Sequence, residues 1–466
     1  MIATEQSTLI DEQEIEEVLA RGLNHDATHV REILTKAREL HGLDMDDMAA
    51  LMAVEEPELL EEVFAAARWV KEEIYGNRLV LFAPLYISNR CSNDCAYCGF
   101  RTSNPSLKRR WLNQDEIRRE VQAIEQQGHK RILMLSGEAY GIDGLKYILD
   151  SIQTIYDTKV GRGEIRRVNV NLAAMSVDDF RLLKAAHIGT YQLFQETYHR
   201  ETYMKMHRGG PKRNYDFHVT AMDRAQQAGI DDVGVGILFG LYDWRFEMLA
   251  MMQHIHHLEQ EFGVGPHTIS VPRIEPAIGS PVAEHPPYQV SDRDFLKIVA
   301  IFRLAVPYTG IIMSTREQTE LRRQTFQLGV SQISAGSRVD PGGYAEGAAN
   351  FKRAQFQVGD SRTTDEIIRD VVEMGFIPSF CTACYRLGRT GTDFMDMAKP
   401  GEIKYHCTPN ALSTFAEYLN DYASPETREA GRRLIKKMFD TMEKGQRLIA
   451  EPMVRKVDLG KRDVFV

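Results

Sequence analysis

The chain has 466 residues, of which 43% are hydrophobic and 26% charged, and its formal net charge is −9. This length predicts more than one domain. The acidic balance argues against nucleic acid or an anionic membrane as the main partner.

The N-terminal stretch MIATEQSTLIDEQEIEEVL lacks the basic start and apolar core of a signal or transit peptide. No apolar run approaches the roughly 20 residues that span a bilayer. We therefore expect a cytoplasmic protein. Thiols stay reduced in that compartment, so its clustered cysteines are expected to be metal ligands or catalysts rather than disulfides.

Residues 1–77 predict a helical extension. The stretches DEQEIEEVLARGL and PELLEEVFAAARWVKEEIYG place apolar residues at helical spacing behind acidic starts. After Gly76 the pattern changes to short apolar runs, typical of strands buried on both faces. Eight such runs follow: 79–87, 131–137, 168–175, 190–196, 232–240, 267–274, 310–315 and 331–337.

Eight strands alternating with amphipathic helices predict a parallel (β/α)8 barrel of the TIM type over residues 78–358, in the α/β class. An open doubly wound sheet is the alternative. In a barrel, chemistry lies at the carboxyl ends of the strands. The helical pattern returns from about residue 360, so we assign 359–466 to a mainly helical C-terminal domain.

The first three cysteines lie together in CSNDCAYC, directly after the first predicted strand. Cys91, Cys95 and Cys98 are spaced C-x3-C-x2-C. An iron–sulfur cluster of the 4Fe–4S type normally takes four thiolates, so three leave one iron open to a small ligand. Zinc is the alternative, but this spacing is unusual for zinc and no histidine lies close to the loop.

The other three cysteines are Cys381, Cys384 and Cys407, spaced C-x2-C-x22-C. By spacing alone, a Cys3His zinc site with His406 and an iron–sulfur cluster are equally consistent. The first triad favours a second three-cysteine 4Fe–4S cluster with an open iron.

The motif C-x3-C-x-aromatic-C after the first strand of a barrel resembles the radical S-adenosylmethionine (SAM) superfamily. The resemblance implies that Cys91, Cys95 and Cys98 hold a 4Fe–4S cluster. The amino and carboxylate groups of SAM would chelate its fourth iron. An electron from the cluster would then cleave SAM to a 5′-deoxyadenosyl radical.

The same resemblance assigns further residues to SAM: Tyr97, Gly137, Glu138, Glu196, Arg213 and Ile237. The tyrosine and the isoleucine are assigned to the adenine, and the glycine–glutamate pair to the methionine ammonium. Glu196 is assigned to the ribose hydroxyls or the ammonium, and Arg213 to the carboxylate. The alternatives are packing for Tyr97 and a simple turn for Ser136-Gly137-Glu138.

Three further stretches narrow the resemblance: MSTRE after strand 7, SAGSRVDPGGY after strand 8, and the C-terminal triad. Together they resemble the radical SAM tyrosine lyases that mature FeFe-hydrogenase, over essentially the whole chain. The related tyrosine lyase of thiamine biosynthesis lacks the C-terminal triad.

This resemblance implies cleavage of the Cα–Cβ bond of L-tyrosine to p-cresol and dehydroglycine. It further implies conversion of dehydroglycine to carbon monoxide and cyanide on iron at the second cluster, which carries an extra labile iron. The implied partners are L-tyrosine, SAM, other hydrogenase maturation proteins and a low-potential electron donor.

For tyrosine we expect Arg316 at the end of strand 7 to bind the carboxylate, with Ser314 and Thr315 offering hydroxyls. The alternative for Arg316 is a salt bridge to a neighbouring glutamate. His267 resembles a histidine that ligates the extra iron, an assignment that suits imidazole. Its position at the start of predicted strand 6 places it away from the expected active end.

Two other functions remain open. One is another radical SAM aromatic amino-acid lyase, which would have no functional second cluster. The other is an iron–sulfur scaffold or electron carrier without radical chemistry. If the barrel is present, its interior is expected to connect the two cysteine triads by an internal passage.

Overall fold

The computed structural model describes residues 9–23, 25–139, 143–347 and 350–466. Its first part is helical, as the sequence predicts. Aspartates cap three of these helices by accepting a backbone N–H three residues on, which satisfies an otherwise unpaired donor. The helices are α1 (Glu12–Gly22), α2 (Ala27–Ala37), α3 (Met45–Met52) and α4 (Pro57–Tyr75).

A closed parallel barrel follows, and each of its eight strands lies within or directly beside a predicted run. The strands of the described chain, eight of which form the barrel, are β1 (Arg78–Ser88), β2 (Arg131–Ser136), β3 (Lys159–Val160), β4 (Gly163–Glu164), β5 (Arg167–Asn171), β6 (Tyr191–Glu196), β7 (Val233–Ile237), β8 (Thr268–Ser270), β9 (Gly310–Met313), β10 (Gln332–Ser334) and β11 (Ile377–Ser379). Neighbours run in the order β1, β2, β5, β6, β7, β8, β9 and β10, and β10 pairs with β1 to close the barrel. The open doubly wound alternative is therefore excluded. Strands β3 and β4 form a separate antiparallel ribbon.

The remaining helices surround the barrel or form the C-terminal region. They are α5 (Gln114–Gln126), α6 (Leu145–Asp157), α7 (Val177–Ala185), α8 (Arg200–Met206), a 3-10 turn (Pro211–Arg213), α9 (Tyr215–Val219), α10 (Ala221–Gln227), α11 (Trp244–Phe262), α12 (Pro281–Glu284), α13 (Asp292–Ala305), α14 (Thr319–Leu328), α15 (Thr364–Glu373), α16 (Ala383–Arg386), α17 (Gly391–Ala398), α18 (Ile403–Asp421), α19 (Pro425–Thr441) and α20 (Lys444–Asp458). No helix among the described residues is long and apolar enough to cross a membrane.

The C-terminal region is helical except for β11. This strand joins the barrel sheet by pairing in parallel with Arg78–Val80 at the start of β1. β1 pairs with β2 only further along, through residues 83–88. The division of the chain at residues 77/78 and 358/359 stays a prediction.

Strand β1 runs between the two ends of the barrel at which the cysteine triads lie. It is buried along its whole length of 11 residues, which corresponds to about 33 Å of rise. The first cysteine triad follows its carboxyl end. β11, which leads directly to the second triad, pairs with its amino end. The two triads therefore lie at opposite ends of the barrel.

Candidate functional site

The loop carrying Cys91, Cys95 and Cys98, here called the first thiol site, is fixed by backbone hydrogen bonds to the segment after α8. Asp94 N donates to Gly209 O at 2.9 Å and Ala96 N donates to Met206 O at 2.8 Å. This pairing holds the loop over the carboxyl ends of the strands, where the sequence predicts the active end.

The sulfurs of the first thiol site lie in surroundings that suit an iron–sulfur cluster. Asn93 N and Phe100 N point at the sulfurs of Cys91 and Cys98, each at 3.4 Å. Burial raises the pKa of all three thiols, that of Cys91 to about 11. They therefore remain protonated until a metal displaces the protons. Backbone N–H donors aimed at sulfur stabilise the thiolates that hold an iron–sulfur cluster. The residues of the first thiol site therefore fit a 4Fe–4S cluster.

The segment Ser136-Gly137-Glu138 packs directly on this loop. Gly137 N donates to Ser88 O at 2.8 Å, and an added Cβ at Gly137 would overlap the Arg90 carbonyl. Only glycine therefore fits this contact. The Glu138 carboxylate accepts a hydrogen bond from Asn93 Nδ2 at 2.6 Å.

A cavity opens beside Cys98 and extends into the barrel; we call it the first cavity. Tyr97 and Glu196 line it next to the cysteine loop. The Tyr97 hydroxyl lies 2.9 Å from His207 Nε2. Ile237 is fully buried outside the lining, which the next residue, Leu238, provides instead.

The structure separates Arg213 from the cavity. Arg213 is exposed, and its Nη1 donates to the carbonyls of His207 and Arg208. The preceding residue, Lys212, is a cation close to the first thiol site, and its Nζ lies 2.9 Å from Glu196 Oε1. Burial by itself would lower the pKa of Lys212, but Glu196 and other nearby acidic groups raise it well above its usual value.

The three residues predicted to bind tyrosine all line the first cavity. Arg316 stacks on the Phe356 ring, with its Cζ at 3.3 Å from the centroid. The glutamates that could have paired with it bind elsewhere: Glu317 to Arg273 and Glu320 to Arg323. Within the described chain, Arg316 has no carboxylate at ion-pairing distance, so it is available to an anionic ligand.

Sequence reasoning missed one polar residue in the same cavity, Glu275. Glu275 lines the cavity close to Arg316, and burial raises the Glu275 pKa to about 7, helped by Glu317 and opposed by Arg316. Ser337, which the SAGSRVDPGGY motif after strand 8 offers as a weaker candidate together with Arg338, also lines the cavity, and its hydroxyl has no hydrogen-bond partner among the described residues. The position of Glu275 just beyond a strand end was the available signal.

Cys381, Cys384 and Cys407, the second thiol site, line a second cavity of about 600 Å³. Cys381 follows β11, Cys384 lies on α16 and Cys407 on α18. A hydrogen bond from Cys384 lowers the pKa of Cys407, and burial opposes this shift.

His267 lines this second cavity, whereas His406 does not. His267 precedes β8 and therefore lies at the amino end of the barrel, the end occupied by the second thiol site. Its Nε2 is 3.3 Å from the Tyr385 hydroxyl and its Nδ1 is 3.7 Å from Asp232 Oδ1. Among the described residues, no three histidine, cysteine, aspartate or glutamate side chains surround a position for a single metal ion.

Positive charge surrounds the second thiol site. Arg131 Nη2 donates to Cys381 O at 2.9 Å, and Arg167 stacks on the Tyr385 ring at 3.5 Å. Arg78 lines the cavity as well. In the part of the chain that the structure describes, each of these three arginines has a buried Nε without a hydrogen-bond partner, and none has a carboxylate at ion-pairing distance.

The two cavities meet end to end inside the barrel. On β1, Phe82 lines the first cavity and Val80 lines the second; on β10, Ser334 and Gln332 are related in the same way. Residues two apart on a strand face the same side. No described residue lines both cavities, and the residues that line them are successive inward-facing positions on β1 and β10.

Comparison with known proteins gives two family matches. Residues 85–254 match the radical SAM superfamily, and residues 270–377 match the Biotin and Thiamin Synthesis associated domain. A 2-iminoacetate synthase of Escherichia coli is 30% identical over 72% of this chain and 86% of its own length.

Two solved structures match almost the entire chain. One is a HydG described as a maturase of the [FeFe]-hydrogenase, with 48% identity, a TM-score of 0.95 and coverage of 99% of this chain and 100% of that one. The other is the FeFe-hydrogenase maturase HydG from Carboxydothermus hydrogenoformans, with 40% identity, a TM-score of 0.83 and coverage of 95% and 97%.

Proposed function

Because this chain belongs to the HydG family of the radical SAM superfamily, an enzyme family that uses SAM and a 4Fe–4S cluster, we propose that it is a tyrosine lyase of hydrogenase maturation. In this proposal it cleaves the Cα–Cβ bond of L-tyrosine to p-cresol and dehydroglycine. Dehydroglycine is then converted to carbon monoxide and cyanide on iron at a second cluster, for assembly of the hydrogenase active site.

The observation that carries the proposal is the pair of thiol triads at the two ends of one barrel, with an arginine that has no carboxylate partner among the described residues in the first cavity. A lyase without a second reaction needs only the first triad. A simple electron carrier needs neither the cavity nor Arg316. The HydG matches cover nearly the whole chain, whereas the 2-iminoacetate synthase match leaves more than a quarter of it uncovered.

The first thiol site would hold the SAM-binding cluster. Glu138 and Glu196 offer carboxylates to the ammonium and ribose of SAM, and Lys212 offers its carboxylate a buried cation. When bound, SAM and its cluster supply the hydrogen-atom abstraction that starts the reaction.

Tyrosine fits the remainder of the first cavity. The Arg316 guanidinium can bind the carboxylate of the substrate tyrosine through paired hydrogen bonds. The Glu275 carboxylate lies close to Arg316 and can accept a hydrogen bond from the ammonium group of the same tyrosine. Apolar walls, including Leu133 and Ile312, suit the aromatic ring. This arrangement would fix the amino group relative to the first thiol site.

The second thiol site would receive the smaller fragment. The three arginines around it favour an anion such as a carboxylate or cyanide. The three sulfurs would hold the second cluster and His267 would ligate an additional iron, since imidazole is a suitable ligand for that metal. Carbon monoxide and cyanide both bind iron strongly, so an open iron there can retain them.

The test is to reconstitute the protein anaerobically with iron and sulfide, add SAM, a small-molecule reductant and L-tyrosine, and measure p-cresol and carbon monoxide together. Cys384→Ser should retain p-cresol and lose carbon monoxide, whereas the matched variant Cys91→Ser should lose both. p-Cresol without carbon monoxide from the unmodified protein would identify a thiamine-type lyase. Intact SAM with neither product would refute the radical chemistry.

A further inference from the structure

The cysteine loop of the first thiol site is surrounded by a face of the molecule that we call the basic face. Three of its segments, those around Asn89, residues 108–110 and Arg353, are joined by the buried side chain of Asn89. Its Nδ2 donates to Lys108 O and Arg353 O at 3.0 and 3.1 Å, and its Oδ1 accepts from Arg110 N at 2.7 Å. The fourth segment is tied by Arg208 N, which donates to Asp94 O at 3.1 Å.

These segments carry cations that no carboxylate of the described chain neutralises. The cations without an ion pair are Arg90, Arg101, Lys108, Arg109, Arg208 and Lys352. Of the carboxylates on the same segments, Glu346 is neutralised by Arg110 and Arg353, while Asp94 accepts a hydrogen bond from Ser103 and keeps its negative charge. Four of the unpaired cations are solvent-exposed.

Two exposed aromatic side chains lie among these cations. Trp111 is 37% exposed beneath the Arg90 guanidinium, at 4.7 Å from the ring centroid, and Phe351 is 47% exposed beside Lys352. Exposed aromatics among arginines are typical of protein interfaces. A concentrated positive face is unexpected on a chain with a formal net charge of −9.

We propose that the basic face is the docking surface for a small acidic protein that carries one electron at low potential. This inference rests on the proposed function, because the first cluster must be reduced before each SAM cleavage. One electron passes from the reduced carrier to the cluster. The carrier is oxidised by one electron, the cluster is reduced by one, and no bond or proton moves.

The position of the face suits this role. Cys91 is half-buried between exposed Arg90 and exposed Ser92, so a protein docked here lies against the loop that holds the cluster. Opposite charges across the interface steer the encounter and orient the two redox centres. The attraction weakens as salt screens it.

The test uses a flavodoxin as the acidic probe and a double variant, Lys108→Glu with Lys352→Glu. Its matched control is Lys436→Glu, an exposed unpaired lysine on α19, away from the cysteine loop. Binding of oxidised flavodoxin to the reconstituted protein is measured by fluorescence anisotropy at several salt concentrations. SAM cleavage is measured separately with reduced flavodoxin and with dithionite, which needs no docking surface.

We expect the double variant to weaken flavodoxin binding by about tenfold or more and to flatten its salt dependence. Flavodoxin-driven SAM cleavage should fall, while dithionite-driven cleavage and the Lys436→Glu control stay unchanged. Unchanged flavodoxin affinity in the double variant overturns the docking proposal. Loss of dithionite-driven cleavage in the unmodified protein instead overturns the proposed function, so the two failures are distinguishable.

Discussion

Lys212 and Arg213 are adjacent cations in very different surroundings. Lys212 Nζ is paired with Glu196 beside the cysteine loop, while Arg213 lies at the surface. We predict that Lys212→Met raises the dissociation constant for SAM by about tenfold or more, because a charge-assisted contact is lost and Glu196 is left buried without its partner. Arg213→Met is the matched control and should bind SAM as the unmodified protein does. Equilibrium dialysis with labelled SAM on the reconstituted protein measures both.

Lys212→Arg, which preserves the charge, should recover part of the affinity for SAM. Equal losses in the Lys212→Met and Arg213→Met variants would instead show that the surface arginine contributes as the sequence motif predicts. Thermal unfolding of each variant separates a binding defect from a folding defect.

If the chain binds tyrosine in the first cavity, as proposed, Glu275 is expected to make that binding depend on pH. Its pKa is raised to about 7, so it is mainly neutral below that pH and mainly ionised above it. If the carboxylate accepts from the tyrosine ammonium, KM for tyrosine should rise as the pH falls from about 8.5 to about 6. Glu275→Gln should show a high KM that no longer changes over this range. A pH-dependent KM in that variant would assign the titration to another group.

At the residue scale, some residues of the candidate site could be predicted from the sequence and others could not. The cysteines and Arg316 follow from spacing and strand-end position, and the structure places Arg316 in the first cavity. Lys212 could not be distinguished from Arg213, because both are cations in KRNYDFH and only burial separates them. Glu275 carries no motif, and its importance comes from the neighbours that the fold brings to it.

Helix α18 carries Cys407 and is held to the barrel by a buried ion pair. Arg166 Nη2 lies 2.6 Å from Glu417 Oε1, with Lys130 Nζ at 3.7 Å. We predict that Glu417→Ala destabilises the protein by about 1.5–3 kcal/mol, because Lys130 loses its carboxylate while Arg166 keeps Glu164 at 2.9 Å and Asp463 at 3.3 Å. It should also lower the iron content of the second thiol site more than that of the first. Calorimetry and iron analysis check both effects.

An exposed ion pair provides the control for that variant. Arg433 and Glu429 pair on the surface of α19, where such contacts contribute little. Glu429→Ala should therefore leave both unfolding and iron content unchanged. If Glu417→Ala behaves in the same way, α18 is held by apolar packing instead.

Strand β11 shows why some elements escape sequence prediction. It has three residues and contains Pro378, which cannot donate to a sheet and therefore suits an edge position. No periodicity can be read from so short a run inside a helical region. Without β11 the location of the second triad was hidden. The structure places His267 at that same end of the barrel, which removes the apparent conflict in its predicted position.

At the scale of the whole molecule, the barrel itself was predictable because eight buried runs recur in order along the chain. The end-to-end arrangement of the two cavities was not predictable in detail, because it depends on which interior side chains leave space. Interior side chains fill a barrel in layers, so one bulky substitution can block the space that joins two cavities.

Val80 lies at the junction of the cavities, and Val80→Phe should obstruct any passage between them. We predict that this variant retains p-cresol formation while carbon monoxide falls by about tenfold, since dehydroglycine no longer reaches the second thiol site. Val80→Ile, which changes the volume little, is the control. An unchanged ratio of carbon monoxide to p-cresol would show that the fragment travels through solvent.

The pairing of β11 with the start of β1 also bears on how the protein forms. It joins segments separated by about 300 residues, and contacts so distant along the chain form late because closing a long loop costs entropy. The second thiol site depends on this pairing. During synthesis Cys381, Cys384 and Cys407 thus emerge last and gather last, after the cysteines at 91–98 have long been available to iron.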